Sequence, residues 1–419
     1  MERANHSYPL YYEHPHDYRY KAKVVKLYNQ EELIRLFPQT KAIIDSFKDE
    51  KRCSLCGIVL DRTLAYPGGG GQIADKGVIE SDTTVSEHFT TVLLEDNTII
   101  HLCDNPILEG TKVVGTIDET SRYDFQCQHS AQHLLSGIAY KNFGINTTSI
   151  YLSTNYSMIE FDTTSIDEFT LLTIQNMANS FARLNKTISS YEVDSSSLEK
   201  LNLRRTPKES YKKIRIVEIE DLDKTPCCGV HCNSTSHLVP IFITSSKCVK
   251  GKFQITFVAG SRAINEFYKY SKTLKPLLNL YSCQLDNLAS EVDKERTKNS
   301  ETSKMVLNLI KTIAENLICN GGDFFDLTSY PYPASKEIAN QVAKKISKEN
   351  CSSLIVYSTN TKADSLNFIL LDFTLEEKYK SLFNQIENSS NLKNQKGPRY
   401  EGTFLKSDLE KIKEAYQAV

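Results

Sequence analysis

The sequence predicts an α+β protein in four parts: an N-terminal antiparallel β-barrel (1–118), a central α+β domain (119–270), a helical spacer (271–320) and a small C-terminal α/β domain (321–419). Three observations support this division. Short β-branched runs fill the first part. Apolar residues first recur at spacings of three and four after Asp118, and a charged helical tract separates the centre from the tail. At 419 residues the chain is longer than one hydrophobic core organises, so more than one domain is required.

In the barrel, strands are expected at 23–27, 57–60, 91–94 and 98–102, with Glu95, Asp96 and Asn97 joining the last two as a hairpin. The run Gly68, Gly69, Gly70 and Gly71 carries a backbone penalty inside any regular element, so it marks a loop or a close backbone approach. In the central part, Leu134, Leu135, Ile138 and Ala139 predict a helix over 129–143. A second helix is expected over 166–184, with Ser165 as its cap and Glu168 three residues on, and strands are expected at 156–161, 214–219 and 253–258. The spacer reads as helical from Leu285, Leu288 and Val292, then Met305, Leu309 and Ile313, with the apolar-free stretch 293–304 solvated between them. In the tail, Ile338, Val342 and Ile346 form a one-sided helical stripe. Strands at 353–357 and 367–371 and a last amphipathic helix at 407–416 follow it.

Composition removes several classes of function. With 50 basic and 52 acidic side chains the net charge is −2, so any contact with nucleic acid must be local. Hydrophobic residues at 40% exclude wholesale disorder. No stretch approaches the roughly 18 apolar residues of a bilayer span, and no membrane partner is expected. Eleven cysteines, with no apolar leader after Met1, point to a reducing, cytoplasmic setting where cysteines serve as metal ligands or small buried residues. The pair Cys53 and Cys56 has no second pair nearby and is read as structural.

The sharpest chemical signal is His129 and His133, spaced HxxxH on the expected helix, which places both imidazoles on one face. The second is Cys227 and His231, spaced CxxxH in a loop that contains Pro226 and Gly229. Three cysteines and a histidine crowded between Cys227 and Cys232 are hard to explain as core. Together the two pairs offer three imidazoles and one thiolate, a set that fits one Zn²⁺ per chain.

HxxxH followed at this distance by CxxxH resembles the editing domain of alanyl-tRNA synthetase. Further stretches share the resemblance. Tyr66, Pro67 and Gly68 to Gly71 with Gln72, Asp75 and Gly77 look like the family's glycine-rich barrel motif. Arg122, Asp124 and Gln128 stand at its positions ahead of the histidine pair, and Phe257, Gly260 and Arg262 match its F-x-x-G-x-R strand end. The order of parts is similar to the long, free-standing alanyl-tRNA editing proteins (AlaX-L type). The likeness extends from about residue 20 to residue 265. It is thinner beyond, where Lys396 to Gly402 keeps only Gly397 and Gly402 of a glycine-rich tRNA-contacting segment. One departure is Val230, where the family's CxGTH motif has threonine.

The resemblance implies a zinc-dependent hydrolase whose partner is tRNA, one that deacylates mischarged alanine tRNA carrying serine or glycine. A non-catalytic tRNA-binding module with a structural zinc, or a deacylase for another aminoacyl-tRNA, are the alternatives. It implies that His129, His133 and His231 bind the metal with Cys227 as fourth ligand, and that His133 and Gln132 sit at the reacting centre. Gln132 either reads the serine hydroxyl or faces solvent. Gly69, Gly70 and Gly71 with Gln72 either approach the 3′ end of tRNA or form a barrel turn. The cluster Arg204, Arg205, Lys208, Lys212, Lys213 and Arg215, with Tyr211 and Glu209 among them, is either a tRNA contact or a solvated loop. Arg262 joins the tRNA-contacting set through its motif.

Overall fold

Six strands close the N-terminal barrel: β1 (Arg19–Tyr28), β2 (Cys56–Leu60), β3 (Gly77–Glu80), β4 (Val85–Leu93), β5 (Ile99–Cys103) and β6 (Lys112–Ile117). They run around it in the order β1-β2-β5-β4-β3-β6 and back to β1, every pair antiparallel. Along β1, Tyr20, Ala22 and Val24 point inward between exposed neighbours, the period-two pattern of a strand with one wet face. Two short helices, α1 (Gln30–Leu36) and α2 (Thr40–Ser46), plug one side with Leu33 and Ile44. The structure is a computed structural model that describes residues 7–47, 55–205, 212–349, 351–358, 365–371, 373, 390–396 and 398–417. Cys53 and Gly397 lie outside them, and the thiol of Cys56 is buried against Cys103 O.

The central helix α3 (Glu119–Phe143) starts ten residues earlier than its apolar spacing predicts. Asp118, one residue after the barrel closes, caps it by accepting from the Ser121 amide at 2.9 Å, and Gly144 in the left-handed conformation ends it. Its apolar residues Leu134, Leu135 and Ile138 enter a core with Ile159, Phe161, Ile255 and Phe257. Those four belong to an antiparallel sheet of β7 (Thr147–Leu152), β8 (Ser157–Phe161), β12 (Ile241–Val249) and β13 (Lys252–Ala259), in the order β12-β13-β8-β7. Helix α4 (Glu168–Ala182) packs on the same core through Ile174, Ala178 and Ala182. Its cap is Asp167 and not Ser165: the carboxylate accepts from the Thr170 amide at 2.9 Å, and a charged acceptor at a helix N-terminus outcompetes a hydroxyl two residues earlier. A second sheet, β9 (Ile188–Asp194), β10 (Lys213–Ile219) and β11 (Asp223–Pro226), is also antiparallel.

The chain forms two units, Met1–Thr273 and Leu274–Val419, so the barrel and the histidine-bearing part share one body. The stretch expected as a separate spacer is two helices. Helix α5 (Ser261–Tyr281) begins at the end of β13, and α6 (Leu288–Cys319) joins the second unit through Ile310 and Ala314. That unit is built on a sheet of β14 (Phe324–Leu327), β15 (Ser353–Ser358), β16 (Ser365–Leu371), β17 (Ser390–Lys396) and β18 (Arg399–Leu405), in the order β14-β15-β16-β18-β17. Only β14 and β15 are parallel, so the expected α/β tail is a mainly antiparallel sheet. Helix α7 (Ala334–Glu349) covers one face with Ile338, Val342 and Ile346, and α8 (Leu409–Gln417) the other with Ile412 and Tyr416.

Candidate metal centre

Helix α3 places His129 and His133 one turn apart on a buried face, with ring centroids 5.2 Å apart. The loop after β11 brings the ring of His231 to 4.3 Å from that of His129 and 4.9 Å from that of His133. Cys227 closes the group: its Sγ lies 3.4 Å from Nε2 of His129 and 3.4 Å from Nε2 of His231. The four donor atoms all lie within 4.8 Å of one another. A tetrahedral zinc about 2.3 Å from sulfur and about 2.0–2.1 Å from nitrogen holds those atoms about 3.3–3.6 Å apart. The donor set and its spacing therefore fit such an ion. Burial alone would push the Cys227 thiol up, but His129 and His231 beside it hold it well below its ordinary value, and the Gly229 amide donates to Sγ at 3.3 Å.

Each imidazole has a group behind it. His129 Nδ1 donates to Gln72 Oε1 at 2.8 Å, and the same oxygen accepts from the Val230 amide at 3.1 Å. His231 Nδ1 lies 3.2 Å from Ser130 Oγ, and His133 Nδ1 lies 3.6 Å from Asp223 Oδ2. These contacts leave Nε2 of each ring available to an ion. Gly229 is required by this crowding. A Cβ there would stand 2.2 Å from Cε1 of His129 and 2.8 Å from Gln72 Oε1.

His129, His133 and Cys227 line a cleft of about 660 Å³ together with Tyr12, Gly70, Gln132, Arg205, Lys213 and Arg215. Gln132 is buried and donates from Nε2 to Ser136 Oγ at 2.9 Å, so it faces the cleft and not bulk solvent. The four glycines all have positive φ, between 59° and 123°, which only glycine adopts freely in succession. Gly70 borders the cleft, Gly71 lies against Ile150 of β7, and Gly69 O accepts from the Tyr66 hydroxyl.

Three residues expected to contact tRNA are engaged elsewhere. Gln72 is buried behind His129. Arg204 pairs with buried Asp223, donating from Nε at 2.8 Å and from Nη2 at 3.1 Å. Arg262 pairs with Asp124 and donates to Ser153 O at 2.8 Å. Arg215 has also left the loose cluster. It donates to Cys227 O at 2.9 Å and Gly229 O at 2.7 Å, and its guanidinium lies 4.7 Å from the ring centre of Tyr12. Arg204, Arg205, Lys213 and Arg215 all line the cleft, Lys212 is exposed, and Lys208, Glu209 and Tyr211 lie outside the described residues. Ser130, Asp223 and Tyr12 escaped sequence reasoning: Asp223 and Tyr12 reach the site only by tertiary packing, and Ser130, although it stands within the HxxxH spacing, is not a metal-ligand residue type.

Residues 4–121 match the family model described as tRNA synthetases class II (A), and residues 214–254 match the one described as threonyl and alanyl tRNA synthetase second additional domain. The chain is 30% identical over 298 residues to the alanyl-tRNA editing protein Aarsd1 of Danio rerio, covering 69% of this chain and 71% of that protein. The chain belongs to the alanyl-tRNA editing protein family. It is 31% identical over 260 residues to the member from Mus musculus, a match that spans only 62% of that protein's length. It is 28% identical over 293 residues to the alanine–tRNA ligase of Ignicoccus hospitalis, 67% of this chain and 32% of the ligase. Within the editing family's CxGTH motif, the departure at Val230 is a packing change. Its side chain is fully buried with Tyr11, Tyr66 and Ile99 and is not among the residues that line the cleft.

Proposed function

We propose that the chain is a trans-editing deacylase that hydrolyses the ester of alanine tRNA mischarged with serine, and also with glycine. The observation that carries this reading is the convergence of four potential metal-ligating atoms, three of whose residues line a cleft that Arg205, Lys213 and Arg215 also line, in a member of the alanyl-tRNA editing family. His129, His133, His231 and Cys227 would hold one zinc ion. When bound, zinc lowers the pKa of a water or polarises an ester carbonyl.

The remaining work falls to the chain's own side chains. Arg205 and Lys213 stand where phosphates of the 3′ end would enter, and Gly70 lets backbone approach without a side chain. Arg215 holds the carbonyls of Cys227 and Gly229 and so fixes the ligand loop. Gln132 carries both a donor and an acceptor at the cleft wall and is assigned to the serine hydroxyl. A wall built to hydrogen-bond that hydroxyl disfavours alanine, whose methyl group would leave polar atoms unpaired.

Incubating the purified chain with alanine tRNA charged separately with serine, glycine and alanine checks this directly. Serine, and more slowly glycine, are expected to be released while alanine stays bound. Release from other tRNA–amino acid pairs in a wider panel, with none from seryl-tRNA(Ala), would move the assignment to another aminoacyl ester. Binding without release from any of them would leave a tRNA-binding module.

A further inference from the structure

The three imidazoles of the centre do not have equivalent supports. Gln72 and Ser130 present neutral oxygens to His129 and His231, whereas His133 faces a carboxylate. The Asp223 side chain is 2% exposed and is gripped by three donors. Arg204 Nε donates to Oδ1 at 2.8 Å, Arg204 Nη2 to Oδ2 at 3.1 Å, and the Thr225 hydroxyl to Oδ2 at 2.9 Å. The Arg204 side chain is itself 7% exposed and also donates to Thr225 Oγ1 at 3.0 Å. Opposite this fixed carboxylate, His133 Nδ1 is buried and makes no hydrogen bond. At 3.6 Å it stands about 0.4 Å beyond hydrogen-bonding range of Oδ2.

The backbone is shaped for this approach. Gly137 lies one helical turn beyond His133 on α3, and a Cβ there would stand 3.1 Å from Asp223 Cβ and 3.2 Å from Leu222 Cγ. A glycine at this position lets β11 come close enough for Asp223 to reach the imidazole. We propose that Asp223, clamped by Arg204 and Thr225, is a positioning residue that holds His133 as the Nδ1–H tautomer with Nε2 directed at the metal. Arg204 thereby acts through Asp223 on the centre. The inference rests on the metal-centre reading above and deepens it. A carboxylate behind a ligating histidine fixes ring orientation and raises ligand basicity, and its loss costs metal affinity about 10–100-fold.

The test is zinc affinity of the full chain, measured by competition with a chromogenic chelator, alongside far-UV circular dichroism. Asp223→Ala is expected to keep the dichroism of the parent and bind Zn²⁺ about 10–100-fold more weakly. Asp223→Asn keeps an acceptor oxygen but not the charge, and an intermediate weakening of threefold or more is expected. Arg204→Gln, which frees the carboxylate to turn away, should weaken binding in the same direction. Folded Asp223→Ala with the parent's affinity overturns the proposal. Where that variant does not fold, unchanged affinity in Asp223→Asn overturns it. A parent chain that takes up no zinc counts against the metal centre itself. A parent that binds zinc beside an indifferent Asp223 variant counts against this inference alone.

Discussion

Replacing His133 by alanine is expected to weaken zinc binding and to slow serine release from seryl-tRNA(Ala) by about 10³-fold or more. The size follows from what is lost. His133 supplies one of four converging donors, and its imidazole is in ring contact with both other histidines of the centre. With two nitrogens and a sulfur left, one of the four protein donors is gone, so the ion is held more weakly and its fourth position falls to water. The fold should survive. The α3 core is anchored by Leu134, Leu135 and Ile138 on the adjoining face of the helix, and none of these depends on the imidazole. Zinc per chain by elemental analysis and single-turnover deacylation together read the outcome. Turnover at the parent rate by a zinc-free His133→Ala protein would exclude the site.

The largest effect on stability is expected from Arg122→Ala. Arg122 is fully buried, and its guanidinium makes a salt bridge with Asp75, which is 1% exposed. It also donates to Pro15 O at 3.1 Å and to Leu64 O. Asp75 in turn accepts from the Tyr66 amide at 2.6 Å, so one ion pair ties α3 to the barrel and to the start of the glycine loop. Removing the arginine strands a buried carboxylate, which costs about 3–5 kcal/mol. Replacing both partners, as in Arg122→Met with Asp75→Asn, should recover part of that loss, since no uncompensated charge is then buried. Urea unfolding of the three proteins measures both terms. Equal midpoints for the parent and Arg122→Ala would contradict the role given to the pair.

Arg122 also shows why the sequence predicted only part of α3. Periodicity detects helices by apolar residues on the buried face, but in the first half of this helix most buried residues are polar, with Phe125, Cys127 and Ala131 the apolar ones. Arg122, Gln126, Gln128, His129, Ser130, Gln132 and His133 are all buried, each held by hydrogen bonds or set at the centre. The apolar repeat therefore begins only at Leu134, and the helix was expected ten residues late. Strand β9 escaped notice for the opposite reason: most of its residues are polar and exposed, so no alternating apolar face marks it.

The four candidate ligands were legible because each pair is local. Spacings of four on a helix and within a tight loop bring donors together without knowledge of the fold. What supports the ligands was not legible. Gln72 comes from the barrel, 57 residues before His129, and in sequence it reads as part of a glycine-rich tRNA-binding motif. Arg204 could not be told from its basic neighbours, because only tertiary structure sets Asp223 against it.

Whether these four side chains grip one ion is read by zinc K-edge X-ray absorption of the purified chain. The expected shell has three nitrogen scatterers at about 2.0–2.1 Å and one sulfur at about 2.3 Å, with one zinc per chain. A zinc shell without sulfur, or a chain that retains no zinc, would contradict it.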